Sequence, residues 1–248
     1  MKANVIVFEA TILVFSLAFY FGARRAMGKS RNRAFLLGAI LFSLAMETGA
    51  VLGGVKNFYW YSINGYYNHY PLGGYVIWLG IVPLAATLLW YIVAASSYLT
   101  ATTLMPNGKW YSRSAVAGAI AVGFYMLIEP IAITNHWWTW NVKSFYVIDV
   151  PLLVLFSVFL SVFVFLANYY LTVADTRDIK ALKALEKLTI RRWSIDSQKS
   201  ARSLKWNQLQ MLFWFRLVPC LVVFAVAIAP VMFLLWLVAN RGHIPPGW

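Results

Sequence analysis

Four of the eight acidic residues lie inside or beside strongly apolar stretches of the chain, where carboxylates are rare: Glu9, Glu47, Glu129 and Asp149. An ionised side chain at the centre of a bilayer costs about 2.5–3.5 kcal/mol on insertion scales, so such an acid is a candidate functional group. In an apolar pocket a carboxylic acid can donate a proton to an alkene, and a second carboxylate can position water or remove a proton from the resulting cation. We therefore take Glu47, Glu129 and Asp149 as candidate catalytic residues. Helix capping or hydrogen bonding between helices is the alternative, and for Glu9 we expect snorkelling or pairing.

Aromatic residues follow the two central acids along the chain. A belt of aromatic residues at the membrane surface accounts for part of this enrichment. The remainder predicts a pocket lined by rings, which can pack an extended apolar ligand or face a carbocation with their π-electrons. The candidate substrate-binding residues are Tyr61, Trp90, Trp138, Trp140 and His136.

The elements that position these residues are predicted to be transmembrane helices. Of the 248 residues 61% are hydrophobic and only 12% are charged, against about 25% charged in soluble domains. We predict an all-α, polytopic bundle that forms a single integral membrane domain over 1–248, with apolar stretches long enough to cross the bilayer. The six predicted spans are 4–22, 34–54, 74–104, 114–134, 147–172 and 209–239. At 1.5 Å per residue, Glu47 and Glu129 would lie at the same depth and could face one another.

The net charge of +13 is explained by topology rather than by nucleic-acid binding. Sixteen of the 21 Lys and Arg residues fall in the predicted connections 23–33, 105–113 and 173–208, which share one side of a six-span protein. The positive-inside rule makes that side cytoplasmic and puts both termini on the outer side. We predict an integral protein of the cytoplasmic (inner) membrane. The basic loop 173–208 is either a solvated connector or an interfacial helix on anionic lipid.

Several chemistries do not fit the sequence. Three histidines, His69, His136 and His243, are too few for a membrane di-iron centre. No phosphate-binding glycine loop, GxSxG elbow or HExxH helix occurs, and no lysine falls in mid-span for a retinal Schiff base. We therefore expect neither a metal nor an organic cofactor.

The two acidic segments resemble the integral-membrane carotenoid-biosynthesis family, which includes carotenoid hydratases. The resemblance runs over about 47–163. It rests on two blocks, Glu47 with Gly53-Gly54, Phe58, Tyr61, Pro83-Leu84 and Trp90, and then Glu129-Pro130, Trp138-Thr139-Trp140 and Val150-Pro151. The chain departs from the family pattern where Glu129 replaces the usual Asp and where Leu152 follows in place of Asn.

The resemblance implies a membrane enzyme of isoprenoid or carotenoid modification without a cofactor. Its reaction would be acid-catalysed hydration of a polyene end, with isomerisation or cyclisation as variants, and its ligand a lipid, carotenoid or other isoprenoid. The residues leave two other functions open. One is a non-catalytic subunit or a scaffold that binds lipid, pigment or quinone in a larger complex or homo-oligomer. The other is a small proton-coupled transporter.

Overall fold

The protein is a bundle of apolar helices with short strands at one end. The computed structural model describes residues 3–58, 75–135, 137–140, 145–148, 150–174, 213–214, 216–231 and 234. Its helices are α1 (Ala3–Met27), α2 (Lys29–Leu52), α3 (Leu84–Leu104), α4 (Trp110–Thr134), α5 (Leu152–Tyr169) and the shorter α6 (Arg216–Val231). The first five are long and apolar enough to cross a membrane, which confirms the predicted helical membrane protein in outline. A sixth crossing and the sides of the termini stay predictions.

Six short strands form three antiparallel pairs within the described ranges. β1 (Lys56–Phe58) pairs with β4 (Trp138–Trp140), β2 (Trp78–Leu79) with β3 (Val82–Pro83), and β5 (Tyr146–Val147) with β6 (Val150–Pro151). All six lie in the connections that lead from α2 to α3 and from α4 to α5. We call this side of the bundle the strand end.

The predicted third span 74–104 is wrong in its first part. Gly80 turns the chain with a φ of 65°, and the β2–β3 hairpin occupies 78–83. Pro83, which has no N–H to donate to a preceding turn, precedes the first helical residue, Leu84. The helix is therefore 21 residues long, enough for a single untilted crossing.

The predicted loop 23–33 is also wrong, because its residues belong to two helices. α1 continues to Met27 and α2 begins at Lys29. Gly28 alone connects them, with a φ of 86° that favours glycine. The five basic residues of this stretch are thus exposed on helix ends. We call this side of the bundle the Gly28 end.

The segment from α2 to α3 and the segment from α4 to α5 have the same construction. In each, a long helix leads to a strand, and a hairpin ending in Val-Pro leads to the next helix. The strand β4 follows β1 at an offset of 82 residues, and the hairpin and helix of the second half follow those of the first at an offset of 68. In the β1–β4 pair Asn57 lies opposite its own equivalent, Thr139. An approximate twofold axis therefore passes between the two strands, and Glu47 and Glu129 are equivalent positions.

A close helix contact in the core joins α4 to α5 at Gly118. A Cβ added there would lie 2.9 Å from Cδ2 and 3.0 Å from the carbonyl oxygen of Phe159. Because close-packed interiors do not absorb extra atoms freely, only glycine lets the two helices approach this closely.

We expect Gly118→Ala to lower the free energy of unfolding by about 1–3 kcal/mol, the usual cost of overpacking. Gly123→Ala is the matched control on the same helix, since a Cβ there meets nothing within 4 Å. Unfolding in mild detergent checks the difference. Equal stability of the two variants would mean that α4 and α5 can separate without cost.

Candidate functional site

Glu129 is a buried carboxylate held by two tryptophans. Its side chain is fully shielded from solvent. The indole N–H groups of Trp138 and Trp140 each donate to Oε2 at 2.8 Å. The other oxygen, Oε1, is buried and accepts no hydrogen bond from the described residues. Burying an acceptor without a donor costs free energy, and no described residue offsets that cost for Oε1 of Glu129.

The Trp-x-Trp spacing explains how one carboxylate holds both rings. Alternate residues of a strand point to the same face, so Trp138 and Trp140 of β4 project together while Thr139 points away. β1 places Lys56 directly opposite Trp140. Its ammonium nitrogen lies 4.8 Å from the ring centroid of Trp138 and 4.6 Å from that of Trp140, within the range of cation–π attraction.

Lys56 also forms an ion pair with Glu47. Its Nζ is 2.9 Å from each carboxylate oxygen and donates a hydrogen bond to Oε1. Both partners are largely shielded, with side-chain exposures of 3% for Lys56 and 12% for Glu47. Glu47, Lys56, Trp138, Trp140 and Glu129 thus form one continuous group, which we call the acid cluster. The two acids belong to one cluster through Lys56 and the indoles.

The two equivalent acids have different partners. Each bonds the residue nine positions further along its own half, which is Lys56 for Glu47 and Trp138 for Glu129. One carboxylate is therefore ion-paired, whereas the other accepts hydrogen bonds from neutral indoles. Environments that differ in this way typically give two carboxyl groups separate chemical roles.

A cavity of about 620 Å³ lies beside the acid cluster, within the size range of small-ligand sites. Its walls come from α2, α5 and α6, with Trp90 of α3, Tyr125 of α4 and Trp140 of β4. Among the lining residues that the structure describes, Glu47 is the one acid and most of the others are apolar. The cavity can therefore hold an extended apolar group next to one carboxylate and four aromatic rings, those of Trp90, Tyr125, Trp140 and Phe224 of α6.

The structure brings together five of the eight predicted site residues. Glu47, Trp90 and Trp140 line the cavity, whereas Trp138 and Glu129 lie in the acid cluster next to it. The predictions for Tyr61, His136 and Asp149 concern residues outside the described ranges, as do those for His69, His243 and most of the loop 173–208.

Sequence reasoning missed Lys56, which it assigned to a connection outside the membrane. The structure buries it, with 2% exposure, at the centre of the cluster. A signal was present, because Lys56 is the only basic residue between Arg33 and Lys109 and follows Glu47 by nine positions. Lone basic residues close to an intramembrane acid are candidates for pairing with it.

Glu9 fixes the strand end rather than reaching water. It is buried, and it accepts hydrogen bonds from the backbone N–H groups of Val76 at 2.6 Å and Ile77 at 3.3 Å. Close by, the Tyr75 hydroxyl donates to the carbonyl of Trp137 at 2.9 Å, and Phe8 stacks on the Trp137 ring at 4.0 Å. These contacts tie α1 to the connections that carry the site.

Tyr75 makes the stability of this region sensitive to alkaline pH. Burial, and after it the negative charges of Glu9 and Glu47, raise the pKa of the Tyr75 hydroxyl well above its ordinary value. The stabilisation that Tyr75 contributes to the folded state is complete below pH of about 10, where an unfolded tyrosine begins to ionise. It is lost as the pH rises towards the pKa of the folded state.

We expect Tyr75→Phe to lower the free energy of unfolding by about 1 kcal/mol at neutral pH, the value of one hydrogen bond. In unfolding measurements the deficit should shrink above pH of about 10, and a deficit that stays constant there would contradict this account.

The described residues form no metal site, since no three His, Cys, Asp or Glu side chains among them lie close enough to share an ion. Comparisons with protein-family models, with curated proteins and with solved structures find no match for the chain. The resemblance to the carotenoid-biosynthesis family therefore stays an expectation, and the functional argument depends on the geometry of the cavity and the acid cluster.

Proposed function

We propose that the protein is a cofactor-independent membrane enzyme that adds water to one end of a polyene isoprenoid, of which an acyclic carotenoid is the favoured example. The observation that carries the proposal is a mostly apolar cavity in which Glu47 is the one acid among the described lining residues, beside aromatic rings. An apolar chain fills such a cavity by the hydrophobic effect, and a carboxylate beside it can act on the double bond nearest the end of the chain.

The proposed reaction proceeds in two proton transfers. A proton adds to the outer carbon of the terminal alkene and leaves a tertiary cation on its neighbour. The oxygen of a water molecule bonds to this cation, and a carboxylate removes the surplus proton, so that the net change is the addition of one water. Glu47, the carboxylate of the ion pair with Lys56, takes the proton from the attacking water. The first proton comes from Glu129 or Asp149.

The rings of the site have distinct parts in this proposal. Trp90, Tyr125 and Trp140 line the cavity, where their faces shield and stabilise the cation. Glu129 orients Trp140 through the 2.8 Å hydrogen bond from its indole. Tyr61 and His136 keep their predicted place as substrate-binding residues. In this proposal the protein lies in the cytoplasmic membrane with its basic connections on the cytoplasmic side.

A direct assay tests this function. Membranes containing the protein are incubated with an acyclic carotenoid, and the extracted pigments are analysed by mass spectrometry. We expect a product heavier than the substrate by one water, which membranes without the protein do not form. Full recovery of unchanged carotenoid after incubation with the folded protein would contradict hydration. An isomer of unchanged mass would point to isomerisation or cyclisation instead.

A second function is favoured by the position of Glu129. Only Glu47 of the two central acids lines the cavity, and a single ion-paired acid also suits a protein that binds a lipid, pigment or quinone without changing it. In that case the protein is a subunit or scaffold of a complex or homo-oligomer. Purification in mild detergent would then yield an unmodified ligand together with a stoichiometric partner chain.

A further inference from the structure

Three helices contribute aligned stretches to the cavity wall. The lining residues span 45–55 at the end of α2 and just beyond it, 153–161 on α5 and 221–229 on α6. Phe213, just before α6, fits against Gly38 of α2 and accepts a hydrogen bond at its carbonyl from Asn168 of α5. These three residues therefore mark one level of the bundle. On each helix the lining residues begin about eight residues from that level towards the strand end. The stretches on α5 and α6 are nine residues long, and eight rises of 1.5 Å make the cavity about 12 Å long.

One side of the cavity is bordered by small, exposed residues. On α2 these are Ala45 and Gly49, with Gly53 directly after the helix at the same four-residue spacing, and on α6 they are Ala225 and Ala229. A Cβ added at Gly49 would meet nothing within 4 Å. Since α2 is one of the helices long and apolar enough to cross a membrane, we take this exposed side of the cavity as the one that would face the lipid.

The approximate twofold symmetry shows that the fold does not require small residues there. At the offset of 82, Ala45 and Gly49 correspond to Leu127 and Ile131 of α4, which are 70% and 53% exposed. The second half therefore carries large side chains where the first half leaves a gap. Conversely Gly123, in open space on α4, corresponds to Leu41 of α2.

We propose that the gap between α2 and α6 is a lateral portal through which a long isoprenoid enters from the lipid with one end first. The class of ligand rests on the proposed function. A zigzag carbon chain advances roughly 1.2 Å per bond, so a 12 Å cavity takes about ten chain carbons. A carotenoid is several times longer, and its remaining length lies outside the portal among the lipid chains.

The lining of the cavity favours such a chain over a segment of protein. Most of the described lining residues are apolar, and the acid among them, Glu47, already pairs with Lys56. An extended, methyl-branched chain has no polar group that needs a partner in such a wall, and the hydrophobic effect favours its burial there. A helix from a second copy could cover the portal, which a change in oligomeric state would reveal.

Isoprenoid alcohols of increasing length test the portal without relying on catalysis. The protein in lipid nanodiscs is titrated with geraniol, geranylgeraniol and solanesol, which share the same alkene tail, and bound ligand is measured by native mass spectrometry. The part of a chain outside the portal stays in lipid whether or not the ligand is bound. We therefore expect geranylgeraniol and solanesol to bind with affinities within about threefold of each other.

Substitutions taken from the other half of the molecule provide the matched variants. Ala45→Leu with Gly49→Ile should close the portal and weaken binding of both long alcohols at least about tenfold, whereas Gly123→Leu should change it less than about twofold. Retained thermal unfolding in detergent shows that each variant folds.

Three results would overturn the portal. If geraniol bound but the two longer alcohols did not, the cavity would have no opening to the lipid, although isoprenoids would remain its class of ligand. Unchanged binding in the double variant, with or without a change in oligomeric state, would place the ligand elsewhere. Failure of all three alcohols to bind the folded wild type would contradict the proposed function as well.

Discussion

Glu47→Gln is expected to lower the rate of water addition to an acyclic carotenoid by at least about 100-fold, the lower range for loss of a general acid or base. Glu47 is the acid of the cluster that lines the cavity, and glutamine has nearly the same shape but cannot take up a proton from water. The substitution also removes the negative charge that Glu47 places 2.9 Å from the Lys56 ammonium group. Product formed per folded protein, measured by mass spectrometry of extracted pigments, is the relevant quantity.

Two other acids provide controls for this result. Glu9→Gln makes the same chemical change at a buried acid that does not line the cavity and accepts hydrogen bonds from backbone N–H groups. This variant should keep its activity within about threefold of the wild type, since no proton transfer is lost. In Glu129→Gln the amide oxygen can still accept from both indoles, so Trp140 keeps its position. A rate loss as deep as that of Glu47→Gln would identify Glu129 as the proton donor, whereas a small loss would favour Asp149. Equal rates in wild type and Glu47→Gln would contradict the assigned role.

Lys56→Met is expected to lower the free energy of unfolding by about 3–5 kcal/mol, the usual cost of leaving a buried carboxylate unpaired. Lys56 is 2% exposed, lies 2.9 Å from both oxygens of Glu47 and sits over two indole rings. Its loss removes the ion pair and both cation–π contacts. Chemical unfolding in mild detergent, followed by tryptophan fluorescence, measures the change.

A double-mutant cycle separates the ion pair from the rest of the cluster. Replacing a whole buried pair by apolar residues of similar size is often neutral, so Lys56→Met combined with Glu47→Leu should regain most of the stability that Lys56→Met alone loses. Lys56→Arg keeps the charge and should lose less than Lys56→Met. If the single and double variants were equally destabilised, the ion pair would not be the source of the effect.

The helices and the candidate acids could be predicted because hydrophobic length and the cost of a buried charge are both visible in a sequence. Apolar stretches about 20 residues long indicate spans regardless of how they pack, and Glu47 and Glu129 stand out in such stretches. Hydrophobicity alone does not reveal the β2–β3 hairpin, since residues 75–83 are as apolar as the helix that follows. There only Gly80 and Pro83 mark the boundary.

The parts that could not be predicted depend on contacts between distant segments. Lys56 reads as a connecting residue until β1 pairs with β4 and places it between Glu47 and the two indoles. The repeat of the two halves was equally hidden, because equivalent positions carry different residues, such as Lys56 and Trp138 or Gly49 and Ile131. Those differences are informative once the fold relates them, since they separate the roles of the two acids and locate the gap beside α2.

An experimental structure with an acyclic carotenoid bound tests the central claim most directly. The account predicts density for one end of the polyene inside the cavity, in contact with Glu47 and the face of Trp140, with the rest of the chain leaving between α2 and α6 into the lipid. A cavity occupied by the protein's own chain, or a carotenoid bound on another surface with its end away from Glu47, would contradict it.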